Sequence, residues 1–148
     1  MNAKLDNIHI LLVEDEPADQ KLVKTAFMKA KIANEVNAVS SGEEALDYLF
    51  RRGQYGPETP RPDLILLDLN MPGMGGMEFL RRVKDNEDLS TIPVVVMTSS
   101  EAEEDIVCSY QLRVNAYVTK PVGLKEFEKV IERIEDFWFV VCKLPTKC

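Results

Sequence analysis

Five times along this chain a short apolar run gives way to a stretch whose apolar residues recur every three or four positions. Runs of the first kind read as buried strands and stretches of the second as amphipathic helices, so the order is β, α repeated five times. "IHILLV" (8–13) leads to "ADQKLVKTAFMKAKI" (18–32), where Leu22, Val23, Ala26, Phe27 and Ala30 share a face. "NEVNAVSS" (34–41) leads to "GEEALDYLFRR" (42–52), with Ala45, Leu46, Leu49 and Phe50 together. "DLILLDL" (63–69) precedes "MEFLRRVKDN" (77–86), "IPVVVMTSS" (92–100) precedes "EAEEDIVCSYQLRV" (101–114), and "NAYVT" (115–119) precedes "LKEFEKVIERIEDFWFV" (124–140). Strands separated by helices must run parallel, linked by right-handed crossovers, and strands this uniformly apolar are covered on both faces. The fold class is α/β, a doubly wound sheet of five parallel strands, which places ligands at the carboxyl ends of its strands.

The 148 residues suit one domain, with a core expected over about 8–136 and a short C-terminal extension over 137–148. A net charge of −7 with scattered basic residues argues against nucleic-acid binding through phosphates. No apolar run approaches membrane-spanning length and "MNAKLDN" lacks a signal-peptide core, so a cytoplasmic protein away from membranes is expected. Cys108, Cys142 and Cys148 fit reduced thiols better than a disulfide or metal framework. His9, the single histidine, falls inside the first strand and reads as a packing residue. "GQYGPETPRP" (53–62) breaks the rhythm as a proline-stiffened loop, read as a spacer with partner binding as the alternative.

Chemistry gathers at the strand ends. Glu14 and Asp15 follow the first strand, Asp68 ends the third, Thr98 ends the fourth, and Thr119 and Lys120 close the fifth. Singly, each suits a turn, a ladder end or solvated surface. Together, and with the first and third strands adjacent, they crowd carboxylates into one pocket that needs a positive partner. An all-oxygen ligand set with few protein donors describes Mg²⁺. Asp68, ionised at neutral pH, is then a nucleophile for phosphorus without a general base, while Lys120 and Thr98 are placed to stabilise the phosphoryl oxygens.

"LLVEDEP", "DLILLDLNMPGMGGMEFL", "PVVVMTSS" and "AYVTKP", in that order over roughly 8–136, resemble the receiver domain of two-component response regulators, the CheY-like family. The resemblance implies a flavodoxin-like (βα)5 fold with strand order 2-1-3-4-5, the order known for flavodoxin and CheY themselves. It implies that Asp68 is the phosphoacceptor, that Asp15, Asp68 and the Asn70 carbonyl ligate Mg²⁺ with Glu14 assisting, and that Thr98 and Lys120 touch the phosphoryl group. It implies further that Tyr117 is a switch aromatic coupled to Thr98 and that Lys120–Pro121 is a cis peptide. Glu14 stands where Asp is frequent, and Ser99 where Ala is frequent.

The last helix carries Leu124, Phe127, Ile131, Ile134, Trp138 and Val141 as one stripe, with aromatic residues of "FWFVV" left over. A homodimer through helices 4 and 5 and the extension is expected, with Phe127, Ile134, Phe137 and Trp138 at its interface. The proline-rich insertion and the tail "FWFVVCKLP" are similar to the Rcp-type single-domain regulators of cyanobacterial phytochromes, which implies a phytochrome histidine kinase as phosphoryl donor. A haloacid-dehalogenase-type phosphatase is the enzymatic alternative, but it needs D-x-D where Asn70 takes the second place. A flavodoxin-like nucleotide binder would meet repulsion from "EDEPAD", and a degenerate receiver serving only as a binding module would not need the complete site.

Overall fold

In the computed structural model, which describes residues 7–31, 33–98, 101–109, 111–120 and 123–143, β1 (Asn7–Val13), β2 (Ala33–Val39), β3 (Leu64–Asp68), β4 (Val94–Thr98) and β5 (Ala116–Thr119) form one parallel sheet. The strand order is β2-β1-β3-β4-β5, as the family resemblance implies. Between the strands run α1 (Pro17–Met28), α2 (Gly42–Phe50), α3 (Gly75–Asp85) and α4 (Glu101–Ser109), and α5 (Leu124–Lys143) follows β5.

Strand alternation sorts the core into two layers. Leu11, Val13, Ile65, Leu67, Val94 and Val96 point to one face, covered by α2, α3 and Val107 of α4. Ile8, Ile10, Leu12, Leu64, Leu66, Val95 and Met97 point to the other, covered by Val23, Ala26 and Phe27 of α1 and by α5. A side-chain period of two produces this division wherever both faces are buried. The rings of Phe27 and Phe127 meet edge-on at 6.2 Å and tie α1 to α5.

Phe127 and Ile134 belong to this core, 1% and 6% exposed. That corrects their expected place at a dimer interface: a side chain already buried in its own domain has no surface left to offer a partner. The side chains of Phe137 and Trp138 lie outside the described residues. Phe50 is a second correction, since it is 45% exposed under the Arg52 guanidinium, and Tyr48 takes the buried position on α2.

Several helix boundaries depart from the sequence reading for local reasons. Ser40 and Ser41 do not extend β2. The Ser41 side chain accepts from the Glu44 N–H at 3.0 Å and the Glu44 carboxylate accepts from the Ser40 N–H, so the pair starts α2 instead. α4 stops at Ser109 rather than running to Val114, because Gln111 takes a left-handed φ of 58° and its N–H closes on the Cys108 carbonyl. The 53–62 loop is anchored: the Tyr55 hydroxyl donates to Glu44 at 2.7 Å, and Arg51 donates to the Thr59 carbonyl at 2.7 Å. His9 is half-buried, with Nδ1 3.2 Å from Glu35 on the edge strand, rather than packed inside a layer.

Candidate phosphoacceptor site

The β1–β3 adjacency brings the strand-end acids together. Val13 pairs with Leu67, so Glu14 and Asp15 emerge beside Asp68, and one carboxylate oxygen of each lies within 4.8 Å of the others. Glu14 is fully buried and Asp68 nearly so, while Asp15 is half-buried at the rim. The Glu16 N–H donates to Glu14 at 3.1 Å and the Asn70 N–H donates to Asp68 Oδ1 at 3.1 Å. Asn70 thus turns its backbone N–H toward Asp68.

From the far side of the sheet comes the counter-charge. Lys120 follows β5, and its N–H donates to the Thr98 carbonyl at 2.7 Å, which fixes the start of the loop against β4. Its ammonium lies 3.0 Å from Glu14, 2.9 Å from Asp19 and 3.5 Å from Asp68. Burial works to lower the Lys120 pKa, but the hydrogen bonds to Asp19 and Glu14 and the charge of Asp68 hold it above the usual lysine range. Burial pushes Glu14 up to about 7 against the opposing pull of the Glu16 N–H and Lys120, and burial also raises Asp68 against the Asn70 N–H and Lys120.

Thr98 is fully buried, and its hydroxyl finds no partner among the described residues. A buried hydroxyl without a partner is costly and points to a ligand or a moving group that satisfies it. Tyr117 on β5 is half-buried, its hydroxyl 3.7 Å from the Cys108 sulfur, with its pKa pushed up to about 12 by burial and then by Cys108. The Lys120–Pro121 peptide lies outside the described residues. Asp19 is the site residue the sequence reading missed. Its signal was available in "EDEPAD", since the first turn of a helix starting at Pro17 turns residue 19 back toward the strand end.

The donor set fits a divalent cation: three carboxylates from two strand ends, oxygen only, with one ammonium to offset them. Between the ordinary glutamate value of 4.5 and about 7 the folded chain binds more protons at Glu14 than the unfolded chain does, so metal-free stability falls as pH rises through that window. Thermal unfolding in EDTA should give a lower midpoint at about pH 8 than at about pH 5.5, and a saturating divalent cation should recover most of the difference at the higher pH.

Comparison with known proteins agrees with this geometry. The family described as response regulator receiver domain matches residues 10–132. Response regulator Rcp1 of Synechocystis sp. is 45% identical over 136 residues, which cover 92% of this chain and 92% of Rcp1. Among solved structures, the phosphorylated cyanobacterial phytochrome response regulator RcpA superposes with a TM-score of 0.80 at 42% identity, covering 95% of this chain and 99% of RcpA. The Mn²⁺-bound form of Rcp1 gives 0.78 at 44% identity, covering 94% and 99%. Matched by that family over residues 10–132 and 45% identical to Rcp1 across nearly its whole length, the chain belongs to the response regulator receiver domains.

Proposed function

We propose that this receiver takes a phosphoryl group onto Asp68 from a phosphohistidine of a phytochrome-type histidine kinase and signals through a changed interaction surface. The observation that carries the reading is the single ammonium of Lys120, held against Glu14, Asp19 and Asp68 at one strand-end pocket. An Asp68 oxygen attacks phosphorus, the P–N bond to imidazole breaks, and the ring nitrogen leaves to take a proton from water. Lys120 and the Thr98 hydroxyl donate to the phosphoryl oxygens, where charge develops. Asp15, Asp68 and the Asn70 carbonyl would hold Mg²⁺, with Glu14 beside them; the ion supplies charge neutralisation at the phosphoryl oxygens. The chain thereby promotes its own phosphorylation and hydrolysis without turning over a separate substrate.

The phytochrome assignment rests on the likeness to Rcp1 and RcpA. Among the described residues no helix is long and apolar enough to cross a membrane, which suits a cytoplasmic partner of such a kinase. We further propose a homodimer formed through α4, α5 and the segment after Asp136, with Phe127 and Ile134 excluded as core residues.

Intact-mass measurement after incubation with acetyl phosphate and Mg²⁺ tests the reading. Wild type should gain one labile phosphate, and Asp68→Asn should gain none. A phosphate retained by Asp68→Asn, or none on the wild type, would sink it. Sizing the same samples shows whether association follows modification.

A further inference from the structure

We infer that Asp19 is a positioning residue for Lys120: it holds the ammonium in the unphosphorylated state and is the partner released when a phosphoryl group arrives. The inference rests on Asp68 being the phosphoacceptor. An ammonium has three N–H donors, and three carboxylates already face it, Asp19 at 2.9 Å, Glu14 at 3.0 Å and Asp68 at 3.5 Å. A phosphoryl oxygen on Asp68 takes over the contact of that carboxylate and competes with Asp19 and Glu14 for the ammonium, and the more readily released of the two yields.

Exposure decides which. Glu14 is 0% exposed, and losing the ammonium would strand a buried carboxylate with the Glu16 N–H as its remaining hydrogen-bond donor among the described residues. Asp68 carries the incoming group and stays beside it. The Asp19 side chain is 39% exposed, so water can solvate it at once when Lys120 leaves. Its position in the first turn of α1 favours the free carboxylate as well, because the helix N-terminus is the positive end of the dipole. Asp19 therefore competes with the phosphoryl oxygens for one cation, and in doing so opposes the phosphorylated state.

The decisive measurement is the affinity for trifluoroberyllate, a phosphoryl mimic, by calorimetry in saturating Mg²⁺, for wild type, Asp19→Asn and Asp19→Glu, each with and without Lys120→Met. A half-exposed ion pair of about 1 kcal/mol corresponds to roughly five-fold in affinity. Asp19→Asn should bind the mimic roughly five-fold more tightly, Asp19→Glu should behave as wild type, and the difference should vanish in the Lys120→Met background. Equal or weaker binding by Asp19→Asn would overturn the inference while leaving the phosphoacceptor reading intact, as would tightening that persists without Lys120, which would reflect net charge alone. Absence of binding by the wild type, together with no phosphate uptake, would remove the phosphoacceptor reading and this inference with it.

Discussion

Lys120→Met should lower stability by about 3 kcal/mol at neutral pH without metal, because it keeps the aliphatic stem and removes the one cation that, among the described residues, offsets buried Glu14 and Asp68. The loss has a characteristic dependence on conditions. Acidification protonates Glu14, whose pKa already stands at about 7 and would rise further once its ammonium is gone, so the variant should regain stability relative to wild type as pH falls. A divalent cation should also recover part of the loss. Equilibrium urea unfolding at two pH values, with EDTA or Mg²⁺, reads all three effects. In the proposed reaction the same substitution removes a donor from the phosphoryl oxygens and should slow uptake from acetyl phosphate by about two orders of magnitude. A variant as stable as wild type at neutral pH in EDTA would mean that the ammonium does not compensate these carboxylates.

Gly76→Ala should be among the most damaging single-methyl additions in the chain. A Cβ at this position would sit 2.5 Å from the Asp68 carbonyl oxygen and 2.6 Å from the Leu69 Cα. Both are backbone atoms at the end of β3, which carries Asp68, so no side chain can rotate away to relieve the contact. Gly76 also donates its N–H to the Leu69 carbonyl at 3.3 Å, which draws the first turn of α3 onto the end of β3. Alanine's better helix propensity, about 1 kcal/mol, is outweighed by the overpacking, and a net destabilisation of about 3 kcal/mol is expected. For a domain of this size that is a fall in melting temperature of roughly 10 °C. Gly75→Ala is the control: its Cβ would meet nothing within 4 Å, and its φ of 79° leaves a backbone strain of about 1 kcal/mol. Calorimetric melting of the two variants side by side separates close approach from backbone conformation. Equal melting temperatures would contradict the packing argument.

Much of the architecture was legible because both periodicities are strong here. "DLILLDL" and "PVVVMT" have too few polar residues for a surface, and the helices between strands leave parallel pairing as the only connection. The convergence of Glu14, Asp15, Asp68 and Lys120 followed from the rule that such sheets gather ligands at one edge, and the fold brings those groups together. Boundaries were less legible. Ser40 and Ser41 look like the polar end of a strand until the reciprocal bonds with Glu44 are seen, and the left-handed Gln111 that closes on the end of α4 is announced by no propensity.

The amino-acid order by itself determined the secondary elements, the parallel sheet and the identity of the strand-end acids, because these depend on local periodicity and on connections that geometry forces. Tertiary structure alone decided which groups pair. Asp19 joins Lys120, far along the sequence, only because the start of α1 and the end of β5 meet at one rim. The burial of Phe127 and Ile134 and the exposure of Phe50 were settled in the same way. A helix whose apolar positions exceed one stripe leaves open which of them turn inward, and the choice is made by the shape of the sheet and of the neighbouring helix.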